Sequence, residues 1–273
     1  MPRAAVLGSP IAHSLSPVLH RAAYAAMGLT DWTYEAIECD EAGLAPLLDR
    51  LGPEWAGLSL TMPLKRTALK LVDEASQLAE TVGGVNTIVW RDGRRFGDNT
   101  DVYGIVTALT EAGVRAPRSA VVLGGGATAA STLAALSELG LRSATLAVRR
   151  VSRAAETRQV GLRLGLQVEV VTLDRLAEVL PADLVASTLP GRAADPYAEL
   201  VAGCGAAVFD AVYAPWPTEL AKAVQRAGGT VVGGFPMLLH QAVRQVQMMT
   251  GRRDVPVEAM RAAGEAELAA RAG

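Results

Sequence analysis

The sequence predicts an α/β protein in two parts, an N-terminal α/β unit followed by a doubly wound parallel sheet. Three observations carry that expectation. At 273 residues the chain exceeds the usual single-domain size, so one large or two modest domains are expected. From Ser119 onward, short β-branched apolar runs alternate with helical patterns, as in a parallel sheet whose crossovers are helices. Upstream, a separate strand and helix series ends at Phe96-Gly97-Asp98-Asn99-Thr100-Asp101, a stretch that reads as a hinge into the helical run Asp101 to Glu111.

Ala4 to Gly8 reads as a buried strand, and Pro10 to Pro17 as a loop. A helix is expected from Ser16-Pro17, with Ser16 as N-cap, Pro17 at the first helical position and Leu19, Ala22, Ala23 and Ala26 in apolar spacing. Trp32 to Cys39 reads as a strand, Gly43 to Leu51 as a helix, and Ala56 to Leu60 as a strand running into Thr61-Met62-Pro63-Leu64-Lys65. Asp73 to Thr81 is expected to be helical. Asn86 to Trp90 and Arg94 to Phe96 should form a hairpin around Asp92-Gly93, a strong turn dipeptide.

Asp101 is placed at the N-cap of the next helix, where capping and the helix dipole both favour a carboxylate. The alternative is that it faces a lysine as an acid/base or orienting partner.

The second series starts with the strand Ser119 to Leu123 and the helix Ala127 to Leu139. Then come the strand Ala144 to Val148, the helix Ser152 to Leu164, the strand Val168 to Leu173 and a helix from Asp174 to Val179. The strands Asp183 to Ser187 and Ala206 to Val212, the helix Thr218 to Ala227 and the strand Thr230 to Val232 complete it. Met237 to Met249 and Val257 to Ala270 read as helices, the last packing back on the first part.

Composition excludes several classes. The formal net charge is −2 with mixed signs along the chain, which argues against a nucleic-acid partner. Cys39 and Cys204 are the sole cysteines and fit no metal or disulfide pattern, so a reducing cytoplasm is expected. There is no basic-then-apolar leader and no apolar run of the ~18 residues that a membrane span needs, so no membrane partner is expected.

Val121-Val122-Leu123-Gly124-Gly125-Gly126-Ala127-Thr128-Ala129 has the GxGxxA form between a strand and a helix. There glycine lets the backbone approach a pyrophosphate, and the helix N-terminus supplies N–H groups and positive potential. A tight turn without a ligand is the alternative. The strand before and the helix after favour a Rossmann-like dinucleotide site. Some 20 residues on, an NAD enzyme usually places an acid for the ribose, whereas this chain has Arg149-Arg150. Arginine can clasp a 2′-phosphate with two hydrogen bonds, which favours NADP over a solvated charge run.

No tyrosine has a lysine four residues later, which disfavours short-chain dehydrogenase chemistry. His20 and His240 lie in helical patterns, and His13 in a Pro-bounded loop, so none is an obvious base. Lysines are few, namely Lys65, Lys70 and Lys222. Lys65 follows a buried strand, where ligands bind in open α/β sheets. It is either a surface residue or a proton carrier paired with Asp101.

Six separated motifs resemble the shikimate dehydrogenase family. They are Gly8-Ser9-Pro10-Ile11-Ala12-His13-Ser14-Leu15-Ser16-Pro17, Ser59-Leu60-Thr61-Met62-Pro63-Leu64-Lys65, Gly84-Val85-Asn86-Thr87, Gly97 to Asp101, Asp210-Ala211-Val212-Tyr213-Ala214-Pro215, and Gly234 to Ala242. The resemblance implies a substrate-binding α/β domain over residues 1–101, completed by helices 237–273, and an NADP-binding Rossmann-like domain over residues 102–236. It implies NADPH-dependent, reversible reduction of 3-dehydroshikimate to shikimate, with Lys65 and Asp101 catalytic.

By the same resemblance, Ser14 and Ser16 would bind the substrate carboxylate. Lys65, Asn86, Asp101 and Gln241 would hold the ring hydroxyls, with Thr61 and Tyr213 lining the pocket. Gly124, Gly125, Gly126 and Ala127 would serve the pyrophosphate, Arg149 and Arg150 the 2′-phosphate, and Gly234 and Met237 the nicotinamide, while Thr188 and Val212 would edge the cofactor groove. No metal is expected.

Ser59 departs from the family's usual Asn, Ala127 from Gly, and Val148-Arg149-Arg150 from Asn-Arg-Thr. Quinate with NAD, and a non-catalytic NADP sensor, stay open as alternatives. So does a homodimer, since no sequence feature sets the oligomeric state.

Overall fold

The computed structural model describes residues 1–272 and divides into two compact units. The first comprises Met1–Thr100 and the chain from Leu239; the second is Asp101–Leu238.

The first unit runs β1 (Arg3–Gly8), α1 (Ser16–Ala26), β2 (Thr33–Glu38), α2 (Glu41–Leu48), β3 (Trp55–Leu60), α3 (Lys65–Leu69), β4 (Glu74–Ala75), α4 (Gln77–Val82), β5 (Thr87–Arg91) and β6 (Arg94–Asp98). Its sheet has the order β2-β1-β3-β5-β6-β4. The three strands at one end are mutually parallel, whereas β5 runs antiparallel to both β3 and β6. The β5–β6 hairpin pairs Arg91 with Arg94, so Asp92-Gly93 is a two-residue turn. Positive φ at both, 50° and 77°, matches the mirror-image turn that suits the twist of a hairpin. Apolar side chains from the strands and from α2 to α4, among them Leu7, Leu44, Leu58, Leu64 and Ile88, form one core.

The second unit runs α5 (Asp101–Glu111), β7 (Ala120–Leu123), α6 (Ala127–Glu138), β8 (Ser143–Val148), α7 (Ala155–Arg163), β9 (Gln167–Thr172), β10 (Leu184–Ser187), α8 (Ala198–Gly203), β11 (Ala207–Asp210), α9 (Glu219–Arg226) and β12 (Val231–Val232). The sheet order is β12-β11-β10-β7-β8-β9, and every pairing is parallel. Counted from β7 this is the 3-2-1-4-5-6 order of a dinucleotide-binding fold. Its central strands β7 and β10 are buried along their length, as expected when helices cover both faces of a parallel sheet. The chain closes with α10 (Gly234–Thr250) and α11 (Val257–Ala272), and α11 packs on α1 within the first unit.

Several local expectations are corrected. Ser16 is not the N-cap of α1. The helix is entered through Leu15, already in helical conformation, because the Ser14 hydroxyl accepts the Ser16 N–H at 3.2 Å and does the capping one residue earlier. Asp101 is likewise the first helical residue of α5 rather than its cap. Residues 73–81 are not one helix, since Glu74-Ala75 pair with β6 and Ser76, extended at ψ 150°, caps α4 by accepting the Ala79 N–H. Val151–Ala154 and Leu173–Val179 wind as 3-10 turns, and the second stops before Pro181, which cannot continue a hydrogen-bonded helix. The short helices α3 and α8 have no counterpart among the sequence expectations. Among the described residues, no helix is long and apolar enough to cross a membrane.

Candidate active site

In the first unit the candidate residues gather where β1, β3 and the loop before β5 leave the sheet. Thr61 follows β3, and its N–H donates to the Leu7 carbonyl at 2.9 Å while its own carbonyl accepts the Leu64 N–H at 2.8 Å. This turn starts α3 at Lys65, a half-buried residue. The Lys65 carbonyl accepts the Val85 N–H at 2.8 Å, and the next residue, Asn86, donates its N–H to Asp98 O at 3.0 Å. Asn99 then donates to the Gly84 carbonyl at 2.9 Å. The lysine loop, the Gly84-Val85-Asn86 loop and the segment before Asp101 are thereby stitched into one backbone frame.

Asn86 is buried to 1%. Its Oδ1 accepts from the Thr100 N–H at 2.8 Å and the Thr87 hydroxyl at 2.8 Å, and its Nδ2 donates to Thr100 Oγ1 at 3.0 Å. Thr100 also reaches Gln241 Oε1 at 3.5 Å, so two candidate side chains share one threonine. Ser14 and Ser16 are joined by the capping bond already described, Ser14 half-buried and Ser16 buried. The loop that carries them is held by Glu38, which accepts from the Ser9 hydroxyl at 2.6 Å and the Ile11 N–H at 3.0 Å. From α11, Arg271 donates to His13 O at 2.7 Å.

Behind these residues lies a polar network that the sequence reading missed. Tyr34 donates to Ser59 at 2.6 Å, Ser59 to Gln245 Oε1 at 2.8 Å, and Gln245 to Thr87 at 3.0 Å. His20, fully buried, stacks on Tyr34 with ring centroids 3.9 Å apart, and burial drives its pKa down to about 3 against a hydrogen bond with Gln245. Burial likewise raises the pKa of the Tyr34 phenol, opposed by its hydrogen bonds with Ser59 and Ser16. One signal for Gln245 was available, because it follows Gln241 by one helical turn and so shares its face. His20 and His240 are both buried helical residues, while His13 is exposed in its loop.

In the second unit the cofactor candidates other than Ala127, Gly234 and Met237, which lie in the first turns of helices, follow the carboxyl ends of the parallel strands, which is where open α/β sheets bind ligands. Gly124 directly follows β7 at φ +117°, a conformation that L side chains rarely adopt, and a Cβ there would collide with Thr188 Oγ1. Thr188 directly follows β10 and donates both its N–H and its hydroxyl to the Leu123 carbonyl at 2.9 Å. Since β7 and β10 are the neighbours at which strand order reverses, Gly124 and Thr188 flank the switch point.

Gly126 is the extended N-cap of α6, ahead of Ala127, and open space surrounds the position of a Cβ on it. The Gly125 carbonyl accepts from Thr157 at 2.7 Å. Arg149 and Arg150 follow β8 directly, both exposed.

After β11, buried Asp210 organises the next loop. It accepts from the Val212 N–H at 3.2 Å and the Thr218 hydroxyl at 2.7 Å, and burial raises its pKa. The Val212 carbonyl accepts the Gly234 N–H at 3.1 Å. Gly234 is the residue type this approach demands, because a Cβ would collide with the Ala211 backbone. Met237 is buried in the first turns of α10. Tyr213 lies half-buried in the loop, and Asp101, buried to 3%, opens α5 where the positive end of the helix favours a carboxylate.

An open helix N-terminus, a glycine turn whose first residue, Gly124, has no room for a side chain, and two arginines one strand away make a donor set that fits an NADP pyrophosphate and 2′-phosphate.

The family model for the shikimate dehydrogenase substrate binding domain matches residues 6–88, and that for the shikimate 5'-dehydrogenase C-terminal domain matches residues 234–263. The chain is 40% identical over 272 residues to an NADP(+) shikimate dehydrogenase of Rubrobacter xylanophilus, covering 94% of this chain and 93% of the relative. The fold is similar to that of a shikimate dehydrogenase from Mycobacterium tuberculosis, with TM-score 0.89, 44% identity, and 97% and 100% of the two chains covered. The Thermus thermophilus enzyme in complex with NADP(H) and shikimate superposes with TM-score 0.85 at 33% identity, over 97% and 99%. A quinate dehydrogenase from Corynebacterium glutamicum with NAD reaches TM-score 0.87 at 31% identity, over 97% and 99%.

Proposed function

We propose, from the premise that this chain belongs to the shikimate dehydrogenase family, how its own residues carry that family's reaction. The protein is an NADP-dependent oxidoreductase that reversibly reduces 3-dehydroshikimate to shikimate. The first unit takes the substrate and the second takes NADP. The cofactor supplies or accepts the hydride.

Lys65 Nζ gives its proton to the substrate carbonyl oxygen as that oxygen becomes an alkoxide, and takes it back in the reverse direction. Asp101 is the partner that orients the lysine. Asn86 and Gln241 hold ring hydroxyls, Ser14 and Ser16 the carboxylate, and Thr61 and Tyr213 line the pocket. A polyhydroxylated ring suits such a lining, because each substrate oxygen left unpaired in a closed site costs about 1–3 kcal/mol. Gly124, Gly125, Gly126 and Ala127 receive the pyrophosphate, Arg149 and Arg150 the 2′-phosphate, and Gly234 and Met237 the nicotinamide, while Thr188 and Val212 edge the cofactor groove.

The observation that supports this reading best is the backbone frame of the first unit. Lys65 O is bonded to Val85 N and Asn86 Oδ1 to Thr100 N, so the proton carrier, a ring-binding amide and the residue preceding Asp101 share one rigid support. Its test is steady-state kinetics with shikimate and NADP. Lys65→Ala should lower kcat far more than it raises KM, whereas the reverse would make Lys65 a binding residue. Absence of any turnover by the intact chain would sink the reading as a whole.

Quinate with NAD is a second substrate pair to assay, on the strength of the likeness to the Corynebacterium enzyme. Two free cysteines suit the reducing cytoplasm that we propose as the location. A homodimer is the proposed assembly, and a monomer mass by sedimentation at micromolar concentration excludes it.

A further inference from the structure

Gln245 lies at the centre of the buried network behind Asn86 and is itself 1% exposed. Its carboxamide has four neighbours, and their chemistry fixes which end is which. Nε2 approaches the Asn86 carbonyl oxygen at 3.3 Å, and a carbonyl only accepts, so the amide nitrogen must face it. Oε1 then faces Ser59 at 2.8 Å and His20 Nε2 at 3.2 Å, so both must donate. His20 is therefore the neutral tautomer protonated on Nε2, and the Ser59 oxygen is left to accept from Tyr34.

Thr87 Oγ1 accepts from Gln245 Nε2 at 3.0 Å, and its own proton goes to Asn86 Oδ1 at 2.8 Å. With the Thr100 N–H on that oxygen as well, both of its lone pairs are filled. A terminal amide torsion is otherwise broad and two-fold, so an Asn side chain can exchange its oxygen and nitrogen ends at little cost. Here the exchange is opposed twice, by the Thr100 N–H, which can only donate to Oδ1, and by the Thr87 hydroxyl, whose proton Gln245 directs to the same oxygen.

We infer that Gln245 is a positioning residue, which through Thr87, and together with the Thr100 N–H, holds the Asn86 carboxamide in the sense and place that set the donor and acceptor pattern presented to the substrate ring. The inference rests on the reading of Asn86 as a ring contact. Ser59, Tyr34 and His20 serve to hold Gln245 in turn. The arrangement is fully satisfied at Gln245, where a half-satisfied buried amide would destabilise the fold.

The experiment is steady-state kinetics of the full chain with shikimate and NADP on five variants. Thr87→Val deletes the relay hydroxyl, Thr87→Ser keeps it, Gln245→Met deletes the amide at similar volume, a double variant combines Thr87→Val with Gln245→Met, and Asn86→Ala removes the contact itself. Thr87→Val and Gln245→Met should each raise KM for shikimate by about fivefold to twentyfold, the loss of one oriented hydrogen bond, with KM for NADP unchanged. Thr87→Ser should stay within about twofold of wild type, and the double variant should be no worse than its worse parent, since both break one relay.

A folded Gln245→Met or Thr87→Val protein with wild-type KM overturns the inference, as do effects that multiply in the double variant. If Gln245→Met does not fold, the Thr87 pair decides by itself. A raised KM in Asn86→Ala beside wild-type KM in Thr87→Val refutes the positioning role alone. An unchanged KM in Asn86→Ala removes the ring-contact reading beneath it.

Discussion

Lowering the pH from 7.5 to 4.5 should cost the fold about 3 kcal/mol through His20 alone. The side chain is fully buried, and desolvation holds its pKa near 3, far below the 6.5 of an exposed histidine. In the folded state it therefore stays neutral down to about pH 3, whereas the unfolded chain takes up a proton below 6.5. Stability from this group is complete above pH 6.5 and drains away as the pH falls toward 3, at about 1.4 kcal/mol per pH unit. Two units below 6.5 give the ~3 kcal/mol.

The comparison that isolates the effect is His20→Phe, which keeps a ring to stack on Tyr34 and removes the titration. At pH 7.5 the variant should be less stable by about 1 kcal/mol, for the lost bond to Gln245. At pH 4.5 it should be more stable than wild type by about 2 kcal/mol, so the two stability curves cross. Glu138 and Asp210, whose pKa values burial raises, contribute equally to both proteins and cancel in the difference. Urea unfolding followed by circular dichroism at several pH values measures it. Parallel curves would refute the claim that His20 is buried neutral.

The remaining predictions concern the two candidate half-sites. Arg149→Ala combined with Arg150→Ala should raise KM for NADP by about 10- to 100-fold, the loss of charge-assisted bonds to a phosphate, and leave KM for NAD nearly unchanged; an equal rise for both cofactors would move these arginines away from the 2′-phosphate. Gly124→Ala should abolish measurable NADP binding by calorimetry or unfold the second unit, since φ +117° and Thr188 Oγ1 both exclude a Cβ, and near-normal binding would contradict the cradle. Glu38→Ala frees the Ser9 hydroxyl and the Ile11 N–H and should raise KM for shikimate by about threefold to tenfold with kcat little changed; an unaltered KM would mean that the Ser14 loop holds its shape without the clamp.

Local chemistry explains what could be read from the chain before folding. Asp92-Gly93 demands positive φ, and the hairpin it predicts is present with a two-residue turn. The alternation after Ser119 and the glycine run at 124–126 predict a parallel sheet with a helix N-terminus facing its carboxyl edge, and β7 with α6 form that unit. Element ends shifted where a side chain bonded differently from its statistical habit. Ser14 rather than Ser16 caps the entry to α1, and Ser76 splits the expected helix at 73–81. Short elements such as Lys65–Leu69 have too few residues to show a helical period.

Asp101, Lys65, Asn86 and the glycine loop were nameable from motif and spacing, because each sits beside turn or strand signals only a few residues long. The partners that hold them were not. Ser59 and Gln245 are 186 positions apart, and His20 and Gln245 are 225 apart, so no local pattern links them. Only the tertiary fold, which brings β2, β3, β5 and α10 together, places a tyrosine, a serine, a threonine and a glutamine in one proton order. The sequence by itself determined the fold class, the family and the site's chemical residues, since those follow from short-range preference and motif. Tertiary structure alone decided the orientation of the amides and the tautomer of His20, because a hydrogen bond's direction depends on every neighbour that shares it.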